Sequence, residues 1–310
     1  MKKSCIFLLT LFALLWGTYF YFLKGRVELF PALILSFFGS MSLAMLIGST
    51  KQAVIAISNL YAIRRAEAGQ PFTDRKTAIA IGTIRPEKSA LKSPLYQDDC
   101  ALYEYEVFKE GRPFSEEDLR EQPRDILYTG MAMCPCAISC LQGKVRLLGF
   151  PDLKNFPEQK TAEKDKIARF LEYLGQTKFE SAIGMKKLHI FSRISDLFSD
   201  TDGTVRQDWQ LSRMPTDPGE LKDKLESSDF QLGEKSVKVG QQVVAIGRYS
   251  SEKMGIISQM GMGGMMNDLY PGDIANVRKQ IRGNALMLSL FSIVYFSFFH
   301  GILALLLFKA

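Results

Sequence analysis

"GMAMCPCAISCLQG", Gly130 to Gly143, places Cys134, Cys136 and Cys140, three of the chain's five cysteines, within seven positions. A strand turns alternate side chains to one face, so Cys134 and Cys136 share a face, and Cys140 joins them if the strand runs straight. Tetrahedral zinc takes four ligands; the fourth would be Cys100 or His189, the single histidine of the polar middle segment. Copper, lipidation and thiol redox chemistry are the other chemical readings. Cysteine is also a small, readily buried apolar side chain. That plainer reading is preferred: the stretch is the outgoing strand of a hairpin, with its turn at Gln142-Gly143 and its return strand at Lys144–Leu148. The chemistry open to the thiols depends on their compartment, so the flanking sequence decides.

Three runs without charge frame the polar middle: Cys5–Leu23, of 19 residues, Leu29–Thr50 and Gly283–Phe308. Each is long enough to cross a hydrocarbon core of about 30 Å as a helix. The first resembles a leader after Met1-Lys2-Lys3, but Trp16–Leu23 offers no small-x-small cleavage site, so it is expected to be retained. Lysine and arginine near the helix ends set orientation. Lys2, Lys3, Lys51, Arg64, Arg65, Arg278, Lys279 and Arg282 fall on one side, against Lys24, Arg26 and Lys309 on the other. This places the middle segment on the cytoplasmic face of a bacterial inner membrane, or the corresponding face of an organelle membrane, as part of a multi-pass protein. Structural disulfides are disfavoured there. The net charge of +6 then belongs to a membrane surface rather than to nucleic acid.

In the second run, Ala32, Ser36, Ser40, Ala44 and Gly48 recur every four residues, a stripe that lets helix backbones approach in lipid. The first helix is the obvious partner, and a second copy of the chain suits the same stripe. A juxtamembrane helix over 51–69 ends near Gly69 before Pro71. Strands are expected at Thr77–Ile84 and Ala101–Lys109, where Leu102, Glu104 and Glu106 oppose Tyr103, Tyr105 and Val107. Residues 110–125 read as a polar loop or short helix. Ala162–Gly175 reads as an amphipathic helix with Ile167, Phe170, Leu171 and Leu174 on one face and Gly175 as cap. Ile190–Phe198 is ambiguous, Asp202-Gly203 is a turn, Met214–Glu234 is a polar loop, and Val237–Tyr249 holds two strands broken at Gly240. The expected fold class is therefore α+β: a β-rich domain over 70–275 beside the membrane, an N-terminal helical hairpin (5–23 and 29–50), and a basic segment leading to a last helix (276–310, apolar over 283–308).

"AIAIGTIRPEKSALKSPLYQDDCALYEYEV" (78–107) resembles the start of the GIDE domain, also called BAM for "beside a membrane". The resemblance rests on Gly82, Leu91-x-Ser93-Pro94, Cys100 and the Tyr103-x-Tyr105 strand. "SVKVGQQVVAIGRY" (236–249), with Gly240 and Gly247, is similar to the family's closing strands, and a basic helix and membrane span follow. The family includes mitochondrial and chloroplast E3 ubiquitin ligases with bacterial relatives, whose eukaryotic members end in a RING finger. These residues up to Ala310 hold no RING, so the resemblance implies an interaction or sensor domain rather than ligase chemistry of the chain's own. A ligase-type role through a separate RING protein, or through a thiol such as Cys100, is the alternative it leaves.

Catalytic signatures are lacking in the sequence: a nucleophile needs a base within reach, and only His189 and His300 are histidines. His189 reads as a partly exposed strand residue. His300 falls in the last apolar run, where a titratable group is a functional candidate or a hydrogen-bonding tie between helices. Met254, Met260, Met262, Met265 and Met266 lie among glycines before that run. They suit an adaptable apolar loop better than a Cu(I) site. The expectation is a non-enzymatic membrane protein without a cofactor. Its partners are membrane lipid and an unidentified protein, and metal handling by zinc or copper is the remaining alternative.

Overall fold

A computed structural model describes residues 2–110, 124–181, 204–211, 222, 230–257, 259–261 and 264–309. The alternating Thr77–Ile84 stretch lies in β1 (Thr77–Pro86), and the cysteine-rich stretch supplies β5 (Cys136–Cys140) and, with its return, β6 (Gly143–Leu147). With β12 (Gln242–Ser250) and β13 (Gly255–Ile257), these form a closed ring, β1-β5-β6-β13-β12 and back to β1. Each contact is antiparallel except the β6–β13 pair. The result is a five-stranded barrel. Two further strands, β16 (Asp268–Pro271) and β7 (Asp152–Leu153), extend the sheet beyond β12. Gly82 sits where β1 pairs with Cys140 on one side and Val243 on the other; a Cβ there would collide with the Ser139 carbonyl oxygen. The turn between β11 (Phe230–Lys238) and β12 uses Gly240 at φ +78, a left-handed conformation that glycine enters freely.

A second sheet has the order β8 (Gln159–Thr161), β11, β3 (Asp99–Glu110), β4 (Arg124–Met133), β10 (Val205–Gln210), β9 (Glu180–Ser181), with β2 (Leu91–Lys92) on β3. The alternation read in β3 decides its two faces. Tyr103, Tyr105 and Val107 pack with Ile167 and Phe170 of helix α3 (Lys164–Gln176). Leu102, Met131, Met133, Val205 and Trp209 join Ala80, Ile84, Ile138 and Val145 of the barrel in the larger core. The second sheet thus lies between α3 and the barrel. Two expectations need correction. Gly175 lies inside α3, which runs to Gln176 and is capped by the extended Thr177, whose N–H donates to Leu174 O. Phe230–Glu234, taken as the end of a polar loop, opens β11 because β3 provides a ladder for it from Lys109 to Tyr105.

The chain divides into two compact units, Met1–Tyr61 with Ala275–Ala310, and Ala62–Ile274. Helices α1 (Lys2–Leu23), α2 (Leu29–Glu67) and α4 (Ile274–Lys309) contain the three apolar runs. The juxtamembrane helix read over 51–69 is the continuation of α2, which runs unbroken through Lys51 to Glu67, and α4 likewise takes in the basic segment before its apolar part. α2 and α4 are each long and apolar enough to cross a membrane. α2 ends in a Schellman motif, with Gly69 at φ +64, its N–H on Ala66 O and the Gln70 N–H on Arg65 O.

Candidate functional site

Among the described residues of the Ala62–Ile274 unit, a developed polar cluster starts at Gly130, the first residue of the opening stretch. Register places Tyr105, Gly130 and Asp208 in one row across β3, β4 and β10. Because Gly130 carries no side chain, the Tyr105 hydroxyl reaches across it and donates to Asp208 Oδ1 at 2.7 Å. A Cβ at Gly130 would meet that oxygen at 2.5 Å and the Tyr105 ring at 2.6 Å, inside any tolerable contact. Tyr173 of α3 donates to the same oxygen at 2.8 Å, and Tyr103 lies 3.2 Å from the Tyr173 hydroxyl. Arg206 faces Oδ2 at 3.5 Å, stands over the Tyr173 ring at 5.6 Å, and donates to Thr177 Oγ1 at 3.3 Å. Burial first, then the Asp208 charge, pushes the Tyr105 and Tyr173 hydroxyls above the usual phenol range. Both therefore remain donors. The carboxylate is held by charge-assisted bonds and fixes α3 to the sheet.

The Leu91-x-Ser93-Pro94 segment is held by a second buried carboxylate. Glu234 of β11, 2 % exposed, accepts the Leu95 N–H at 2.9 Å, and Ser93 is fully buried beside it. Burial raises the Glu234 carboxyl, against the lowering effect of that amide. Leu91 is half-buried and contacts both cores. Cys100 pairs with Leu91 in register, and its thiol points at Leu91 O at 3.6 Å. Desolvation, then the Glu234 charge, pushes this thiol up to about 12. Cys100 is thus fully buried in the core, with its thiol held in the protonated form.

The remaining cysteines mark the passage from one sheet to the other. β4 ends at Met133 in the second sheet and β5 begins at Cys136 in the barrel, so the strand does not run straight; Cys134-Pro135 is the crossing. Pro135, which has no N–H to satisfy, accepts the Glu87 N–H at 2.7 Å, while Cys134 donates N–H and thiol to Ala101 O at 3.0 and 3.3 Å. Cys134 and Cys136 are buried in the larger core, with burial raising both thiols; Cys140 is half-buried, its thiol on Gly143 O at 3.0 Å. Among the described residues, no group of three or more His, Cys, Asp or Glu side chains is gathered in a way that would hold a metal ion. Gly247 faces Asn267, whose amide donates to Leu148 O at 3.0 Å and Ile256 O at 3.4 Å and ties the strand leading into β16 to the barrel. Where α2 joins the barrel, Gln142 at the tip of β5–β6 donates to Ala66 O at 2.9 Å. Arg65 donates to Gln70 Oε1 at 3.0 Å and Thr73 Oγ1 at 3.0 Å, walling a small cavity against Phe72, Thr77 and Ile79.

Within the helical unit, the small-residue stripe is used against α1 and α4. Ala32, Ser36 and Ser40 are fully buried; Ala44 and Gly48 are half-buried. Trp16 donates to Ser36 Oγ at 2.8 Å, Phe12 packs edge-on to Phe37, and Gly39 leaves room for the Tyr19 ring and Phe299. His300 answers the Tyr19 hydroxyl at 2.5 Å through Nε2 and Phe296 O at 2.9 Å through Nδ1. Both ring nitrogens are occupied, so His300 ties α4 to α1 in the way polar side chains join helices in lipid.

His189, Ile190–Phe198 and the Asp202-Gly203 turn lie outside the described residues, as does Met262. Met254 is exposed at φ +48 in the turn after β12, and β14 (Gln259–Gly261) pairs with β15 (Gly264–Met266) beyond it. Sequence reading missed Gly130, Asp208 and Tyr173; their one signal, a glycine inside a strand pattern, marks close approach in general without naming the partner. No family model, no curated protein and no solved structure matches the chain.

Proposed function

We propose that the chain is a non-enzymatic membrane protein that presents its barrel domain at the cytoplasmic face as a docking or sensing module, as the GIDE-like residues imply. One observation carries this reading: the barrel unit is bounded in sequence by α2 and α4, helices long and apolar enough to cross a membrane. The titratable groups of that unit support it, because the buried carboxylates and thiols described above are committed to packing. Chain order around the ring, 1-2-3-5-4-1, is that of OB-type barrels, which bind extended ligands on the face of their second and third strands. This is an analogy of fold, and fold does not fix function. Those strands are β5 and β6 here, whose exposed Ser139, Lys144 and half-buried Arg146 form an outer row answered by Glu87 at 3.1 Å from Arg146. Aromatic platforms for bases are missing from that row, which favours an acidic protein surface or anionic headgroups over nucleic acid.

The test places a photo-crosslinking residue at Ser139 or Lys144 of the full-length chain in native membranes. Capture of a discrete protein or of anionic lipid, above the level at exposed Lys160, is expected. Equal capture at all three positions would sink the docking role of this face.

A further inference from the structure

One half-buried cation of the Ala62–Ile274 unit has no counter-charge, and it borders a cavity. Among the described residues of that unit, the half-buried basic side chains are Arg65, Arg146, Lys154, Lys166 and Lys235. All but the first face a carboxylate: Arg146 meets Glu87 and Lys166 meets Glu163, each at 3.1 Å, Lys235 meets Glu104 at 2.7 Å, and Lys154 meets Asp152. Arg65 meets neutral oxygens instead. Its Nε donates to Gln70 Oε1 at 3.0 Å, and its Nη2 to Pro71 O at 3.3 Å and Thr73 Oγ1 at 3.0 Å. Among the described residues, Nη1 has no acceptor. A cation in the last turn of α2 also suits the helix dipole, but exposed Arg64 beside it serves that need equally. The carbonyl ends there are already bonded: Arg64 O by the Ala68 N–H, Arg65 O by the Gln70 N–H, and Ala66 O by the Gly69 N–H and by Gln142.

We propose that this cavity binds a phosphate group, carried by a small soluble ligand or by a lipid headgroup. The space is about 270 Å³, part of it open to solvent, and every residue lining it belongs to the Ala62–Ile274 unit. Its floor is apolar, with Ala62, Ala66 and Ile79 buried, while Thr73, Thr77 and Gln142 bring hydroxyls and an amide to the walls. Two-pronged recognition of a planar carboxylate needs a parallel pair of N–H groups on the guanidinium. Nε and Nη2 are occupied, so that fork is broken. What remains is a spread of single donors: the Nη1 N–H groups, the Thr73 hydroxyl hydrogen, and the amide N–H of Gln142 not given to Ala66 O. A tetrahedral phosphate turns oxygens in several directions and suits that spread. It also supplies the counter-charge that the other half-buried cations already have. Arg65 belongs to α2 and Gln142 to the β5–β6 tip, so the bound group holds the end of α2 to the barrel. The site does not depend on the docking role of the β5–β6 outer row.

Amide exchange of the full-length chain in phosphate-free maltoside micelles tests this, with inorganic phosphate as the probe at constant ionic strength. At about ten times its Kd, phosphate should slow exchange about tenfold in the peptides that carry Gln70–Ile79 and Gln142, and not elsewhere. Arg65→Gln should abolish that protection. Arg64→Gln, the same loss of charge one residue away, should leave it unchanged. The unmodified chain decides the matter even where Arg65→Gln folds poorly, because the protection must be confined to those peptides. Phosphatidylglycerol added to the micelles without free phosphate separates the sources: protection with the lipid alone assigns a headgroup, and protection with the inorganic ion assigns a soluble ligand. No protection from either probe, protection spread over the whole unit, or equal loss in Arg64→Gln would each overturn the proposal.

Discussion

At the scale of single residues, Asp268 is a side chain whose charge works against the fold. It opens β16 and pairs in parallel register with Asp152 of β7, which is engaged by Lys154. Burial, and then the Asp152 charge against the partial help of Lys154, pushes the Asp268 carboxyl up to about 6. The folded state therefore binds this proton more tightly than the unfolded chain does, whose carboxyl titrates near 4. The ionised form is penalised in full above pH 7, and the penalty is relieved as pH falls through 6 towards 4. Asp268→Asn should accordingly stabilise the barrel unit by ~1–3 kcal/mol at pH 8, a rise of a few degrees in Tm. The gain should vanish near pH 4.5. Thermal unfolding of both proteins across pH 4.5–8 checks this, and a gain independent of pH would assign the effect to packing instead.

At the scale of elements, the strands that were legible are those whose own residues alternate. β1 and β3 could be placed from Thr77–Ile84 and Ala101–Lys109 because each carries the alternating β-branched and aromatic residues of a strand, although β3 buries both of its faces. α3 was legible through Ile167 and Phe170, which are the residues it buries. The crossing at Cys134-Pro135 was not, since nothing local tells a chain to change sheets; the ladders from Ala101 and Glu87 do so from a distance. Asp208 was equally hidden. In "VRQDWQ" it reads as an ordinary polar strand residue, and its tyrosine partners stand 103 and 35 positions away. That row makes a firm prediction about α3. Asp208→Ala leaves two buried tyrosine hydroxyls without their acceptor and should cost ~2–4 kcal/mol. Gly130→Ala overfills the same row and should cost ~1–3 kcal/mol or more. In both variants, amide exchange should speed up first in α3, because the carboxylate is its polar anchor; denaturant unfolding with exchange mass spectrometry measures both effects.

At the scale of the molecule, the barrel is interrupted twice in sequence, and both interruptions feed the second sheet. β2, β3 and β4 lie between β1 and β5; β8 through β11 lie between β6 and β12. Neither sheet can be completed before the other has begun, and the larger core makes that interdependence physical, since Met133, Val205 and Trp209 pack with Ile84, Ile138 and Val145. The Ala62–Ile274 unit should therefore open as one cooperative body despite its two sheets. Ile138 decides the point: it is fully buried, belongs to β5, and sits in the core that residues of both sheets share. Ile138→Ala removes side-chain volume that the core can only partly refill, at a cost of ~2–5 kcal/mol. With one cooperative body, exchange protection in β3, β4 and β10 falls by the same free energy as in β1 and β12, although none of the former carries the substitution. Were the sheets independent, protection would fall in the barrel strands alone, and the shared core would be a contact surface rather than a single folding unit.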